Sequence, residues 1–194
     1  MPDNIPFDTA TRIAAGDDGT TYDNVSISLH WSTALLVIVQ FALGQTWDWF
    51  AKPTRQVMES THVSLGMLLA AVIVARLIWR LMPGHEVTEI TSGWIRTASR
   101  SVHLLLYALL IGEVVLGFGW RWAQGHSVDF FGLFAIPGPY GQLDRPARGL
   151  LKELHEWGAW IIISVAGVHA LGALYHHYVL KDRVLARMLP GAAR

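Results

Sequence analysis

Hydrophobic residues along the chain gather into four long runs that are separated by polar segments. We predict one helix for each run, over residues 26–50, 61–81, 101–122 and 151–178. A run of about 20 apolar residues is long enough to cross a bilayer core of about 30 Å. Lipid offers no hydrogen bonds to the backbone, so membrane-spanning segments of this kind are expected to be helical. The pattern predicts an all-α membrane protein, a four-transmembrane-helix up-down bundle.

The polar segments complete the predicted organisation. Residues 1–25 form a polar, acidic N-terminal extension without the features of a signal peptide, residues 26–190 the transmembrane domain, and residues 191–194 a C-terminal tail. The first connection is short and contains Pro53, and the Gly-, Pro- and aromatic-rich segment 123–150 is expected to fold over one end of the bundle. The tryptophans near the span ends, including Trp47 and Trp120, are interpreted as an interfacial belt.

The distribution of Lys and Arg predicts the orientation. Of the 15 such residues, nine lie on the side of the two termini, and the others lie on the opposite side: Lys52, Arg55, Arg121, Arg145, Arg148 and Lys152. Cytoplasmic loops carry an excess of positive residues. We therefore expect a multi-pass protein of the bacterial inner membrane with both termini in the cytoplasm.

Composition supports the membrane class and excludes several kinds of chemistry. The chain is 52% hydrophobic and 15% charged, whereas soluble proteins carry about 25% charged residues. Its formal net charge is zero, which gives no support for a nucleic-acid partner. It has no cysteine, which excludes disulfides, thiolate-bound iron–sulfur clusters and covalently attached c-type haem.

Four histidines occupy positions from which they can face a shared interior. His155 and His169 lie 14 residues apart on the fourth predicted helix, which places them on nearly the same face and roughly 21 Å apart along the axis. Following the chain up and down puts His30 and His169 at the cytoplasmic depth, and His62 and His155 at the periplasmic depth. Each pair offers two imidazoles from different helices, an arrangement that holds metals or cofactors in helix bundles.

The neighbours of these histidines favour a large, flat cofactor over a small ion. Glycines recur near the depths of the histidines and would allow close approach of a bulky group, although small residues also serve ordinary helix contacts in membranes; they are Gly44, Gly66, Gly117, Gly158 and Gly172. Arg76 follows His62 by 14 residues. It would either pair with haem propionates in the interior or extend to the lipid headgroups.

Short motifs in order across the chain then point to a family. They are ISLHW at 27–31, THVSLG at 61–66, ELHEWGA at 153–159, GVHALGALYHHY at 167–178 and KDRVLARMLP at 181–190. On these motifs, residues 26–190 resemble the bacterial cytochrome b561 family, compact four-helix membrane proteins that hold two b-type haems. The resemblance implies that His30, His62, His155 and His169 are the axial ligands, in the pairs His30/His169 and His62/His155. Glu113 departs from it, since the family tends to be apolar there. As a mid-helix acid it is either a proton-linked group or protonated and bonded to a neighbouring helix.

The remaining histidines have less defined roles. His103 begins the third apolar run at the cytoplasmic depth, where it is an alternative to His30 as ligand or a neighbour of a propionate or quinone. His176 and His177 are adjacent at the predicted interface and are expected to contact headgroups. His85 and His126 fall in loops, where exposure to solvent is expected.

Two imidazoles fill both axial positions of a haem iron and leave no site for oxygen, so the expected function is electron relay. A basic periplasmic rim would steer a small anion toward the protein, although the same residues also serve solubility. Family members oxidise superoxide and pass the electron to ubiquinone, which implies a superoxide:ubiquinone oxidoreductase with membrane lipid, ubiquinone and superoxide or another small periplasmic donor as partners. The alternatives are an electron-transfer cytochrome b subunit serving a separate dehydrogenase or hydrogenase, and a non-redox carrier of divalent cations.

Overall fold

Four long helices make up most of the molecule, in agreement with the predicted fold class. The computed structural model describes residues 22–83 and 93–189. The helices are α1 (Asn24–Thr46), α2 (Lys52–Leu81), α3 (Gly93–Ala123) and α4 (Arg145–Tyr175). Each is long and apolar enough to cross a membrane. Most of the predicted N-terminal extension, His85 and the predicted tail lie outside the described residues.

Shorter elements lie between and after the helices. A 3₁₀ turn at Trp47–Trp49 follows α1, and the antiparallel strands β1 (Val128–Phe130) and β2 (Phe134–Ile136) form a hairpin between α3 and α4. After α4 the chain makes one π-helical turn at His176–Leu180 and a 3₁₀ turn at Ala186–Met188. The segment 123–150, which we expected to fold over one end of the bundle, thus includes a hairpin.

Three helices begin six or more residues earlier than the hydrophobic pattern predicts. α2 starts at residue 52 rather than 61, α3 at 93 rather than 101, and α4 at 145 rather than 151. Pro53, which we expected in a loop, lies in the first turn of α2, where its missing N–H leaves no helical hydrogen bond unmade. These added turns are polar, and hydropathy detects only the part of a helix that lipid surrounds.

Acidic caps define the starts of α1 and α4. Asp23 accepts a hydrogen bond of 2.9 Å from the N–H of Ser26, and Asp144 accepts one of 3.0 Å from the N–H of Ala147. Each carboxylate satisfies one of the amide groups that a helix start leaves without a partner. These two caps lie at the starts of the helices that carry three of the four predicted ligands.

The buried core is a thin apolar layer at the middle of the bundle. Its members are Leu69, Ile73, Leu110 and Ile162, with Val37 packed against them. Ile162 lies seven residues from both His155 and His169, which is about 10 Å along the helix in each direction. The layer therefore separates the two ends of the bundle, and each end carries its own group of histidines.

Candidate cofactor-binding site

One histidine pair lies at the end of the bundle that carries the hairpin and the Trp47–Trp49 turn. The ring centroids of His62 and His155, here called the outer pair, are 6.1 Å apart, and their planes cross at 88°. An imidazole nitrogen binds a transition metal at about 2.0–2.1 Å, so two rings on opposite sides of one metal have centroids about 6 Å apart. The outer pair has the spacing that a single shared metal requires.

The surroundings of the outer pair include residues that the sequence analysis did not assign to it. The indoles of Trp47 and Trp120 lie 5.2 Å from His62 and 6.0 Å from His155, centroid to centroid. We expected both indoles in the interfacial belt, and hydropathy cannot tell which face of a helix end they occupy. Gln40, a polar residue within the first apolar run, donates a hydrogen bond of 3.0 Å to the carbonyl oxygen of His62.

The nitrogens of the outer pair are not committed to competing hydrogen bonds. Nδ1 of His62 and Nδ1 of His155 are buried and have no hydrogen-bond partner in the described part of the chain. Oε1 of Glu113 lies 3.1 Å from Nδ1 of His155, close enough for an ion pair but not aligned as a hydrogen bond. A buried polar atom without a partner is costly. Within the described residues, neither ring of the outer pair is held by a competing hydrogen bond at Nδ1.

A second group of side chains lies at the end of the bundle near the termini. This inner cluster consists of His30, His103, His169 and Arg76. The ring centroids of His30 and His169 are 6.4 Å apart, whereas those of His103 and His169 are 5.2 Å apart. Only the first separation matches two rings on opposite sides of one metal, for which about 6 Å is required.

Arg76 points into the inner cluster rather than out to the headgroups. Its Nη2 lies 3.0 Å from Nδ1 of His30, and its guanidinium carbon lies 5.2 Å from the ring centroid of Tyr107. A guanidinium only donates hydrogen bonds, so Nδ1 of His30 accepts this one. Of the two positions that the sequence left open for Arg76, the structure shows the interior one.

The five glycines singled out in the sequence differ in what an added Cβ would contact. A Cβ at Gly117 would lie 3.0 Å from Cε1 of His155, and one at Gly44 would lie 3.9 Å from Cε1 of His62. Gly66 instead leaves room for Gln40, and Gly158 for Glu113, whereas nothing lies within 4 Å of Gly172. Close approach to one of the paired histidines is therefore required at Gly117 above all.

The other histidines lie apart from both groups. His126 is exposed, with Nδ1 3.4 Å from Nη1 of Arg121. Nδ1 of His176 shares a hydrogen bond of 2.5 Å with Oδ2 of Asp182, and the ring of His177 packs edge-on against Tyr178. His176 is thus engaged by the chain itself, and Asp182 is a partner that sequence spacing alone did not indicate.

The donor set fits a cofactor that brings its own ligands. Among the described residues no group of three or more His, Asp or Glu side chains is arranged to enclose a bare metal ion. Two imidazoles alone leave a transition metal with most of its coordination unfilled, whereas the haem macrocycle supplies the remaining ligands and takes imidazoles at its two axial positions.

Comparison with known proteins agrees with this chemistry. Residues 21–191 match the family model described as prokaryotic cytochrome b561. The chain belongs to the prokaryotic cytochrome b561 family. It is therefore an integral inner-membrane protein of electron transfer that binds b-type haem.

Individual members of the family resemble this cytochrome over most of its length. It is 32% identical to cytochrome b561 homolog 2 of Escherichia coli (strain K12) over 177 residues, covering 87% of this chain and 90% of the relative. It is 29% identical over 170 residues to the probable superoxide oxidase CybB of Yersinia pestis, covering 87% and 96%.

The six cations predicted as a basic rim are partly neutralised in this cytochrome. Arg55 lies 2.7 Å from both Asp48 and Glu59, and Lys152 lies 3.0 Å from Glu156. Arg121 instead donates to the carbonyl oxygen of Ser127. Within the described residues, the cations of the rim that form no ion pair or side-chain hydrogen bond are Lys52, Arg145 and Arg148. Sequence counts cannot reveal such pairing.

Proposed function

We propose that this cytochrome holds two b-type haems, one between His62 and His155 and one between His30 and His169. The observation that carries the proposal is the pair of ring separations, 6.1 Å and 6.4 Å, at opposite ends of the bundle. When bound, each haem would supply a one-electron carrier with both axial positions filled by imidazole. His103, with its shorter separation from His169, would lie beside the inner cofactor and not ligate it.

Arg76 would change partners when the inner site is filled. Its hydrogen bond to Nδ1 of His30 requires that nitrogen to carry no proton, which leaves the proton on Nε2. Ligation through Nε2 therefore requires Arg76 to release Nδ1. A propionate would offer the guanidinium an anionic partner in the apolar interior, where an unpaired cation is expensive.

We further propose that the chain is a superoxide:ubiquinone oxidoreductase with both termini in the cytoplasm. Two superoxide ions would each lose one electron and leave as oxygen, and one ubiquinone would take up both electrons and two protons to become ubiquinol. The similarity to a probable superoxide oxidase, 29% identical and covered over 96% of its length, supports this reaction. The proposed orientation places the outer pair on the periplasmic side.

Three cations would guide superoxide to the outer end. The side chains of Lys52, Arg145 and Arg148 have neither a carboxylate nor a hydrogen-bond partner among the described residues, whereas Arg55 and Lys152 have a carboxylate and Arg121 donates to a backbone carbonyl. Unpaired surface cations attract small anions over a range that salt shortens. Because these three cations would attract superoxide, we expect the rate of reduction by superoxide to fall as ionic strength rises.

A spectroscopic experiment tests the function. The purified, air-oxidised protein is mixed with a pulse of superoxide, with and without superoxide dismutase, while the α-band region is followed. We expect rapid reduction that dismutase abolishes, and reoxidation when ubiquinone is added. Two results would contradict superoxide as donor: a rate of reduction in low salt that is no higher than the rate in high salt, and reduction only when a dehydrogenase or hydrogenase is supplied. The latter result would favour an electron-transfer subunit.

A further inference from the structure

Glu113 is an acidic side chain in the middle of an apolar helix, and it faces the bundle interior. Its side chain is 15% exposed and that of His155 is 16% exposed, and Oε1 of Glu113 lies 3.1 Å from Nδ1 of His155. The carboxylate packs directly against Gly158, one turn along α4 from His155, and a Cβ at that position would collide with Oε2. The two helices are thus shaped to admit a carboxylate beside this histidine.

The proposed ligands differ in what lies beside their Nδ1 atoms. His155 has the carboxylate of Glu113, and His30 has the guanidinium of Arg76. Nδ1 of His62 is buried without a hydrogen-bond partner in the described residues. Of these three histidines in the described part of the chain, His155 is the one whose neighbour can accept a hydrogen bond from Nδ1–H.

We infer that Glu113 is a positioning residue that sets the reduction potential of the outer haem through His155. It would accept a hydrogen bond from Nδ1–H, which leaves Nε2 free to bind the metal. Carboxylates that accept from a ligating histidine fix the tautomer and raise the basicity of the ligand. A more basic ligand stabilises the oxidised iron, so Glu113 would lower the potential of the outer haem. The inference rests on the proposed ligand role of His155.

The proposed hydrogen bond requires a change in the angle between the imidazole of His155 and the carboxylate of Glu113. The 3.1 Å separation lies within the hydrogen-bond range, but the ring is not aligned with Oε1 in the structure. Rotation of the imidazole about its Cβ–Cγ bond changes this angle while the backbone of both helices stays in place. Because Gly158 has no side chain, the carboxylate of Glu113 has space to move with the ring of His155.

Potentiometric titration of Glu113→Leu and Glu113→Gln tests the inference, with the inner haem of the same molecule as internal control. We expect the reduction equilibrium of the outer haem to shift by at least about tenfold toward the reduced form in Glu113→Leu, which is about 59 mV for a one-electron couple. Glu113→Gln keeps an acceptor without the charge and should shift less. The inner haem should titrate as in the wild type.

Gly158→Ala approaches the same contact from the other helix. The added methyl group displaces the carboxylate, so the outer haem should again become easier to reduce although Glu113 is present. In the Glu113→Leu/Gly158→Ala double variant the second change should add nothing, because both act on one interaction. Additive shifts would overturn the inference.

His155→Ala separates the inference from the proposed function. Loss of one haem in His155→Ala, together with less than a twofold change in the outer haem of Glu113→Leu, overturns the role of Glu113 and leaves the ligand assignment standing. Retention of both haems in His155→Ala overturns the ligand assignment, and the inference falls with it.

Discussion

The two ends of the bundle have histidine pairs of similar geometry but differ in the groups around them. The outer pair has ring centroids 6.1 Å apart, with Glu113 and two indoles as neighbours. The inner pair has ring centroids 6.4 Å apart, with a third histidine and Arg76. A carboxylate favours the more positive, oxidised state of a metal and a guanidinium favours the reduced state. The comparison teaches that similar histidine pairs can have opposite charges beside them; under the proposed ligation, the two haems would differ in potential in the order that carries electrons from the outer end to the inner end.

The largest expected effect is loss of one haem when a proposed ligand is removed. His62→Ala or His155→Ala should lower the haem content from two to one per chain and leave the inner spectrum, and His169→Ala should do the reverse. The pyridine haemochrome assay measures the ratio. His126→Ala, at an exposed loop histidine, is the control and should retain two haems. If the outer variants removed both haems while the protein stayed folded by circular dichroism, the two sites would not be independent.

The inner cluster offers a sharper test because it contains three histidines. His30→Ala should lose the inner haem, whereas His103→Ala should keep it, since His103 lies 5.2 Å from His169 and the required separation is about 6 Å. Haem content and the low-spin signals in electron paramagnetic resonance measure the difference. The reverse result would make His103 the partner of His169.

Arg76 should affect the inner end alone. Arg76→Met removes the proposed propionate partner, and loss of such supporting groups costs roughly 10–100-fold in affinity. We expect the inner haem to transfer to apomyoglobin faster by this order, with the outer haem unchanged. Arg76→Lys keeps the charge and should retain more of the affinity. Equal loss from both ends would show that Arg76 acts on the whole bundle.

The smallest expected effect concerns two glycines at the outer end. Gly117→Ala places a methyl group 3.0 Å from Cε1 of His155, whereas Gly44→Ala places one at an ordinary contact distance of 3.9 Å from His62. We therefore expect Gly117→Ala to shift the outer haem spectrum and lower haem retention severalfold, and Gly44→Ala to change neither. Visible spectra of the two variants decide this, and equal behaviour would place the cofactor elsewhere.

Most of the fold and the histidine pairs follow from periodicity, because helix geometry fixes the relation between sequence spacing and depth. The spacing of 14 residues between His155 and His169 predicted two levels, and the structure places a second histidine near each. The family resemblance added the identity of the cofactor. Helix starts were predicted late, since polar turns outside lipid carry no hydropathy signal.

The misses concern lateral contacts between helices. Nothing in a single sequence tells which residue of a neighbouring helix faces a given side chain. Gln40 beside His62, Glu113 beside His155 and the placement of Arg76 against Tyr107 are all of this kind. The sequence marked each as a polar residue in an apolar run, which signals that a partner exists but not where it lies.

Potentiometric titration of the purified wild-type protein, followed by visible and electron paramagnetic resonance spectra, tests the central claim most directly. We predict two haems per chain, each low-spin with two imidazole ligands, that titrate in separate one-electron steps, with the haem that Glu113→Leu affects at the lower potential. A single haem per chain, or a high-spin ferric signal from an iron with an open axial position, would contradict the account.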